Sequence, residues 1–270
     1  MKKKIILIVL SIIILAGLIQ TLAYKETPGK TSIELSNGII TYDKYGSGEN
    51  IIIAIHGSPG GRDGFDSLGP QIENSTLYAL DMYGFGESEK HVSNYGMDFQ
   101  SDVILEFMNK LNIEKATLLG YSWGGLVAID FARKYPDKTD NLILLASSGI
   151  QEGEPTKSYL GEKTRTIISY PFVVYYPGSI AGGIGWRKGF IRSFLDSDQR
   201  KIREYLKQIQ NPVLIIHGNK DTVIEPWVAE EHHLLLQNSQ LKYYNGGHGQ
   251  VLGRNTSEMA EIINNYLNEN

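Results

Sequence analysis

Short apolar runs alternate along this chain with segments in which apolar residues recur every three or four positions. The runs predict buried strands, and the longer spacing predicts amphipathic helices. Strands are predicted at residues 31–35, 38–44, 50–55, 76–80, 116–120, 141–146, 212–217 and 241–244. Helices are predicted at residues 98–111, 122–135, 226–237 and 256–267. This alternation predicts an α/β fold with a mostly parallel sheet.

Three of the predicted strands contain continuously apolar runs, at 51–55, 142–145 and 213–216. Such runs are typical of central strands that helices cover on both faces. Asn37 and Gly38, between the first two predicted strands, form a tight-hairpin sequence. We therefore expect the sheet to begin with an antiparallel pair of strands.

The alternation lapses over residues 150–210, which separate two central strands. A segment of about 60 residues is too long for a simple connection and is interpreted as an insertion. The pattern predicts a loop around Pro155, Pro171 and Pro177, then a glycine-dense stretch at 178–185, then a helical stretch over 187–208. The aromatic residues of the insertion are Tyr159, Tyr170, Phe172, Tyr175, Tyr176, Trp186, Phe190 and Phe194. We interpret the insertion as a lid over an apolar pocket; the alternative is an accessory subdomain whose rings form their own small core.

Residues 1–24 differ in composition from the rest of the chain. Three lysines at positions 2–4 precede an apolar run that reaches about 20 residues, the length that a helix needs to cross a bilayer. An uncleaved membrane anchor and a cleaved signal peptide both fit, and Thr21 and Ala23 could occupy the small-residue positions of a cleavage site. The lysines predict a cytoplasmic N-terminus, so we expect the rest of the chain to be tethered outside the cell membrane or secreted. The predicted division is an anchor or signal at 1–24, a core at 25–149 and 211–270, and a cap at 150–210.

Composition and charge exclude several classes of function. The 270 residues are 41% hydrophobic and 21% charged, as in ordinary globular domains. A formal net charge of -4 does not supply the positive field on which nucleic-acid binding relies, so no nucleic-acid partner is expected. The chain has no cysteine, which excludes disulfides, thiolate zinc sites, iron–sulfur clusters and cysteine nucleophiles. Catalysis would therefore use oxygen and nitrogen groups.

A candidate nucleophile lies where a predicted strand passes directly into a predicted helix. The sequence there is Gly-Tyr-Ser-Trp-Gly at residues 120–124, and a G-x-S-x-G at such a junction forces a sharp turn that presents the serine. Ser122 would then lie at the positive end of a helix, where developing negative charge is stabilised. A glycine-rich phosphate loop is the alternative, but the glycine spacing and the lysine of a P-loop are missing.

A serine nucleophile needs a histidine base and an acid to orient it. His248 lies in a glycine-rich loop after the last predicted strand, and Asp221 follows the carboxyl end of the strand at 212–217. The chain order Ser, Asp, His is the order of α/β-hydrolases. Structural or solvent-facing roles suit the remaining histidines, and the remaining acids lie at a helix start or on the wrong side of a strand. These rivals are His56, His91, His217, His232, His233, Glu225, Asp137 and Asp140.

The oxyanion of a tetrahedral intermediate needs hydrogen-bond donors. One predicted donor is the backbone N–H of Trp123, directly after the candidate nucleophile. The other is expected from the turn after the strand that ends at Ile55, where Pro59 has no N–H and Ser58 is therefore the preferred donor. A plain glycine turn is the alternative for this segment.

With these residues placed, the chain resembles the α/β-hydrolase superfamily from residue 30 to residue 267. The resemblance rests on HGSPGG at 56–61, DMYGFGES at 81–88, GYSWGG at 120–125, HGNKD at 217–221 and GHG at 247–249. It implies an eight-stranded, mostly parallel sheet flanked by helices, with a cap inserted after the sixth strand. It also implies that the stretch from Asp81 is a structural loop.

The sequence predicts a serine hydrolase that acts on a carboxylic ester or related small acyl compound, with no metal or organic cofactor. One alternative is an aminopeptidase similar to proline iminopeptidase, whose pattern HGSPGG and Ser-Trp-Gly resemble. It would need carboxylates to hold the free amine of its substrate, for which the candidates are Glu152, Glu154, Glu162, Asp196 and Asp198. A further alternative is a non-catalytic ligand-binding protein on the same fold, although a binding role requires none of the three triad residues.

Overall fold

The computed structural model describes residues 31–175 and 184–269, together with the isolated positions Ser11 and Leu15. No helix within this described part is long and apolar enough to cross a membrane. The predicted anchor or signal at 1–24 lies outside the described residues apart from those two positions, as does most of the glycine-dense stretch at 178–185. Both stay predictions.

Eight strands of the described chain form one mostly parallel sheet, as the sequence predicts. They are β1 (Ser32–Leu35), β2 (Gly38–Tyr45), β3 (Asn50–Ile55), β4 (Ser75–Leu80), β5 (Ala116–Tyr121), β6 (Thr139–Leu145), β7 (Val213–Gly218) and β8 (Ser239–Tyr244). Their spatial order is β1-β2-β4-β3-β5-β6-β7-β8. β1 with β2 and β2 with β4 pair antiparallel, and every later pairing is parallel. The β1–β2 hairpin turns at Gly38, whose φ of 126° favours glycine.

The described helices pack on the two faces of this sheet or lie between β6 and β7. They are α1 (Met97–Lys110), α2 (Trp123–Lys134), α3 (Tyr159–Tyr175), α4 (Ile184–Asp196), α5 (Ile202–Leu206), α6 (Trp227–Leu235) and α7 (Thr256–Glu269). Along β3, Ile53 and Ile55 join the apolar cluster that contains α1 and α2, whereas Ile52 and Ala54 join the cluster that contains α7. Both faces of this strand are therefore buried, which explains its continuously apolar sequence.

The segment between β6 and β7 differs from its prediction. The expected loop is confirmed around Pro155 but is wrong around Pro171, because α3 occupies Tyr159–Tyr175; Pro177 lies outside the described residues. The side chains of Glu162 and Thr166 on this helix are buried, whereas Leu160 is 75% exposed. Since polar side chains occupy the buried face, the apolar pattern does not show the helix.

The predicted helical stretch over 187–208 is two helices, not one. α4 ends at Asp196, and α5 begins at Ile202 after a short 3-10 turn. The side chain of Asp198 accepts a hydrogen bond from the backbone N–H of Arg200 and so begins the new turn.

Candidate active site

Ser122 lies on the sharp turn between β5 and α2. Its backbone adopts φ 53° and ψ -119°, a left-handed conformation that is unfavourable for a residue with a side chain. Two backbone hydrogen bonds hold it there: the Ser122 N–H donates to the Leu145 carbonyl at 3.0 Å, and the Ser148 N–H donates to the Ser122 carbonyl at 3.1 Å. The end of β6 therefore fixes the turn that exposes the hydroxyl.

The glycines beside Ser122 are required by close backbone contacts. A Cβ at Gly120 would lie 2.5 Å from the carbonyl oxygen of Gly124, and one at Gly124 would lie 2.3 Å from the carbonyl oxygen of Ile55. A Cβ at Gly125 would lie 1.9 Å from the Ser147 hydroxyl. The G-x-S-x-G-G spacing is thus the sequence that this packing permits.

The structure brings Ser122, His248 and Asp221 together, as the sequence predicts. The Nε2 of His248 lies 2.9 Å from the Ser122 Oγ, and its Nδ1 lies 2.7 Å from the Asp221 Oδ2. This chain of contacts joins three loops that follow β5, β7 and β8 at the carboxyl edge of the sheet. With the proton on Nδ1, Nε2 is free to accept the serine proton.

Asp221 is fixed as an ionised carboxylate. Its Oδ1 accepts the backbone N–H groups of Val223 at 2.8 Å and Ile224 at 3.0 Å. Burial acts to raise the pKa of this carboxyl, but the hydrogen bonds and charge of His248 and these backbone donors outweigh burial and lower the pKa. The side chain therefore has one oxygen committed to the loop and the other to the imidazole.

The loop that carries His248 is tied to the loop that carries Asp221. The N–H of Lys220 donates to the carbonyl of Gly246 at 3.0 Å, and the N–H of Asn219 donates to that of Tyr244 at 3.0 Å. These bonds continue the parallel pairing of β7 and β8 beyond the strands. The base and its orienting acid thus keep a fixed separation although they are 27 positions apart in sequence.

Tyr121 also contributes to the site, and the sequence analysis gave it no role. Its ring lies against the His248 imidazole, with centroids 5.3 Å apart and planes inclined by 34°. Its hydroxyl lies 3.4 Å from the His248 carbonyl oxygen. The only sequence signal is its place directly before the nucleophile, which puts its side chain on the sheet edge beside the histidine loop.

Three of the rival histidines have structural positions. The Nε2 of His56 accepts the Met82 N–H at 3.1 Å, and the Nε2 of His217 lies 3.1 Å from the Ile224 carbonyl oxygen. His232 is buried in the packing of α6. Burial lowers the pKa of all three imidazoles, and that of His232 falls to about 3.

The predicted oxyanion donors, Ser58 and Trp123, flank the nucleophile. Ser58 lines the same cavity as Ser122, and a Cβ at the neighbouring Gly57 would lie 3.1 Å from the Ser122 Cβ. Neither the Ser58 nor the Trp123 backbone N–H donates to a protein acceptor within the described chain. The Ser58 side chain is engaged elsewhere, because its Oγ lies 2.9 Å from the Ser193 Oγ on α4.

A cavity of about 490 Å³ opens over Ser122 and His248. The core contributes the residues around the triad, and the segment between β6 and β7 contributes the opposite wall. That wall consists of Glu154, Pro155, Arg165, Thr166, Ser169, Phe190, Ile191 and Phe194. Two of the aromatic residues singled out in the insertion, Phe190 and Phe194, face the cavity. The expected apolar lining is therefore only partial, since hydroxyl, carboxyl and guanidinium groups share it.

Four of the five carboxylates proposed as amine-binding groups are engaged in ion pairs. Glu152 pairs with Arg203, Glu162 with Arg165, Asp196 with Arg192, and Asp198 with Arg200. Glu154 has no ion-pair partner among the described residues, and its side chain lines the cavity. Burial raises the pKa of Glu154 to about 7, and the nearby charge of Glu162 adds to the rise. Hydrogen bonding to Ser148 and Gln199 and the charge of His248 act in the opposite direction.

Residues 50–170 match a family of proteins described as having the alpha/beta hydrolase fold. The chain has the α/β-hydrolase fold. It is 26% identical over 249 residues to the human protein named serine hydrolase BPHL. This alignment covers 86% of this chain and 84% of that protein. It is 25% identical to Lipase 3 of a Moraxella species over 69% of this chain and 68% of that protein. A solved structure of the meta-cleavage product hydrolase CumD from Pseudomonas fluorescens matches it with a TM-score of 0.72 and 26% identity, over 89% of this chain and 98% of that one.

The similarity to proteins of the α/β-hydrolase fold agrees with the observed strand order and with the position of the turn at Ser122. It supports a hydrolase that acts on a small molecule. The type of bond that is cleaved depends on the chemistry that Ser122 and the cavity can perform.

Proposed function

We propose that this protein is a serine hydrolase that cleaves carboxylic esters of modest size through an acyl-enzyme intermediate. The observation that carries the proposal is the continuous hydrogen-bonded chain from the Ser122 Oγ through the His248 imidazole to the buried Asp221 carboxylate. This chain opens into a cavity of about 490 Å³, which suits a small substrate. The relatives named as a serine hydrolase and a lipase support the same chemistry.

The proposed reaction has two halves. The Ser122 Oγ attacks the ester carbonyl carbon while its proton passes to the His248 Nε2, and the backbone N–H groups of Ser58 and Trp123 receive the oxyanion. The carbon–oxygen bond to the leaving alcohol then breaks, and His248 returns the proton to that alcohol. A water molecule, deprotonated by His248, attacks the acyl-serine ester, releases the acid and restores the Ser122 hydroxyl.

The test is covalent labelling joined to ester turnover. The full-length protein in a non-ionic detergent would be treated with a fluorophosphonate probe, and the labelled peptide mapped by mass spectrometry. We expect labelling at Ser122, with Ser122→Ala losing both label and turnover while retaining its circular dichroism spectrum. Ser257→Ala, which removes an exposed hydroxyl on α7, is the matched control and should behave as wild type. Turnover in purified Ser122→Ala would contradict the proposal.

Asp221→Asn tests the orienting carboxylate separately. The asparagine oxygen can still accept the two backbone N–H groups of the loop, so the fold should persist. The imidazole would lose its charged partner, and we expect kcat to fall by about 10³- to 10⁴-fold. An unchanged kcat would show that Asp221 has no part in the reaction.

We also propose that residues 1–24 hold the protein at the cell membrane or direct it across. Three lysines before an apolar run support an N-terminus that stays in the cytoplasm. Fractionation of cells that express the full chain, with N-terminal sequencing of the product, tests this placement. Recovery of an intact N-terminus from the cytosolic fraction would contradict it.

A further inference from the structure

Glu154 is a buried carboxyl on the wall of the cavity that the proposed reaction does not use. Only 4% of the residue is exposed, and it lines the same cavity as Ser122 and His248. Its Oε1 is buried without a hydrogen-bond partner in the described chain. Leaving a buried carboxylate oxygen unsatisfied is costly, so a group of this kind calls for a specific explanation.

The neighbours of Glu154 do not supply the missing donor. Arg165 donates to the carboxylate of Glu162 instead. The hydroxyls of Thr166 and Ser169 donate to carbonyl oxygens within their own helix. The Arg165 Nη2 and the hydroxyls of Thr166 and Ser169 are therefore committed to other acceptors.

A second buried acceptor, on Gln199, also has no hydrogen-bond partner in the described chain. Gln199 is a hydrogen-bonding neighbour of the Glu154 carboxyl, and its unpartnered atom is Oε1. Of these two acceptor oxygens, that of Glu154 belongs to a residue that lines the cavity. A bound molecule that carries a donor would satisfy that oxygen.

The position of Glu154 places it within reach of a substrate at Ser122. The backbone N–H of Ser148 donates to the Ser122 carbonyl, and the residues Ser148 and Glu154 both line the cavity. Glu154 and His248 also line one cavity.

We propose that Glu154 is a specificity-determining residue, which accepts a hydrogen bond from an amino or hydroxyl group on the substrate. The preferred substrates would be esters that carry such a donor a few atoms from the scissile bond, not plain aliphatic esters. This inference rests on the proposed ester hydrolysis at Ser122. An ammonium group and a hydroxyl group present the same donor chemistry but differ in charge, so they can be distinguished by experiment.

The test compares matched esters with the full-length protein. On the acyl side, methyl butanoate is compared with methyl 3-hydroxybutanoate and methyl 3-aminobutanoate. On the alcohol side, butyl acetate is compared with 3-hydroxybutyl acetate and 3-aminobutyl acetate. We expect kcat/KM for at least one donor-bearing ester to exceed that of its plain parent by about tenfold or more, because a hydrogen bond to a charged group is among the stronger ones.

Two substitutions at Glu154 then identify the donor. Glu154→Leu should abolish the preference ratio between donor-bearing and plain esters. Glu154→Gln keeps an acceptor oxygen without the charge, so it should retain a preference for the hydroxyl ester and lose one for the ammonium ester. Glu152→Gln removes an exposed carboxylate two positions away and should leave every ratio unchanged.

Failure of this inference is distinguishable from failure of the proposed function. If the fluorophosphonate probe does not label Ser122, ester hydrolysis itself is wrong. If Ser122 is labelled but wild type shows no donor preference, or Glu154→Leu keeps the full preference, only the role of Glu154 is overturned. A third outcome is that Glu154→Leu lowers turnover of all esters equally and keeps the ratio of kcat/KM between donor-bearing and plain esters. That result would also overturn the specificity role and would indicate a structural role for Glu154.

Discussion

The ring of Tyr121 lies against the imidazole of His248, with centroids 5.3 Å apart and planes inclined by 34°. The tyrosine directly precedes the candidate nucleophile, so one short segment positions both the serine and the face of its base. Burial, with the charge of Asp221, raises the pKa of Tyr121 to about 12, so the ring stays uncharged beside the imidazole at neutral pH.

Replacing this ring should affect the proposed chemistry more than substrate binding. Tyr121→Ala removes the surface against which the imidazole rests, and we expect kcat to fall by roughly 10- to 100-fold with a smaller change in KM. Tyr121→Phe keeps the ring and loses only the long 3.4 Å contact of the hydroxyl, so it should stay close to wild type. Steady-state kinetics on one ester checks both. Equal losses in the two variants would point to the hydroxyl instead of the ring.

Gly124, two positions after the candidate nucleophile, should be intolerant of any side chain. Gly124→Ala would put a methyl group 2.3 Å from the Ile55 carbonyl oxygen and 2.6 Å from that of His56, and these backbone atoms cannot move aside easily. We expect the free energy of unfolding to fall by about 1–3 kcal/mol or more, measured by urea denaturation. Gly249→Ala is the matched control, because a Cβ there meets nothing within 4 Å. Similar losses in the two variants would refute the steric explanation.

Lys163 on α3 holds the end of α4. Its Nζ lies 2.5 Å from the Phe194 carbonyl oxygen, 2.5 Å from that of Leu195 and 2.8 Å from that of Ser197. A cation at these carbonyls satisfies groups that the helix itself leaves free. One charged side chain on α3 therefore contacts the end of α4.

Lys163→Met should loosen this junction. We expect faster hydrogen exchange of the backbone amides over the described end of α4, at 188–196, with little change in the sheet strands. Hydrogen exchange followed by mass spectrometry measures both regions in one experiment. Lys201→Met, which alters an exposed lysine, should exchange as wild type does. Unchanged protection over 188–196 in Lys163→Met would show that other contacts hold α4.

The buried Glu154 should make stability fall as pH rises. Its pKa is 4.5 in an unfolded chain and about 7 in the folded protein, so between these values the unfolded state releases a proton that the folded state keeps. The penalty is absent below about pH 4.5 and is complete above pH 7, where it amounts to at most about 3 kcal/mol.

Glu154→Gln removes this titration. We expect the free energy of unfolding of wild type to fall more steeply between pH 4.5 and pH 8 than that of the variant, as measured by urea denaturation at each pH. Glu152→Gln is the control and should follow wild type. Parallel curves for wild type and Glu154→Gln would mean that the carboxyl titrates normally.

Much of the fold was predictable because its signals are local. The continuously apolar run of β3 reflects burial on both faces, and the hairpin sequence before Gly38 reflects the positive φ of that residue. The turn at Ser122 was predictable for the same reason: three glycine positions within six residues carry the steric requirement. The triad partners followed from the ends of β7 and β8, since parallel strands bring their carboxyl ends to one edge.

The helix α3 was not predictable in this way. Its periodicity was misleading because its buried side includes Glu162 and Thr166, while Leu160 is exposed. The pairing of Glu162 with Arg165 allows a charged residue to be buried there. Such pairing depends on the surroundings of a helix, which a pattern of apolar and polar residues does not describe.

The sequence by itself determined the order of the strands along the chain, the turn that carries Ser122, and the choice of His248 and Asp221 as its partners. Each of these depends on backbone preferences and residue types within short segments. Only the tertiary structure decided that Tyr121 supports the imidazole and that Glu154, alone among five candidate carboxylates, has no ion-pair partner in the described chain. These properties arise from packing between segments distant in sequence, where the identity of the neighbours decides whether a charge is paired, buried or left to meet a ligand.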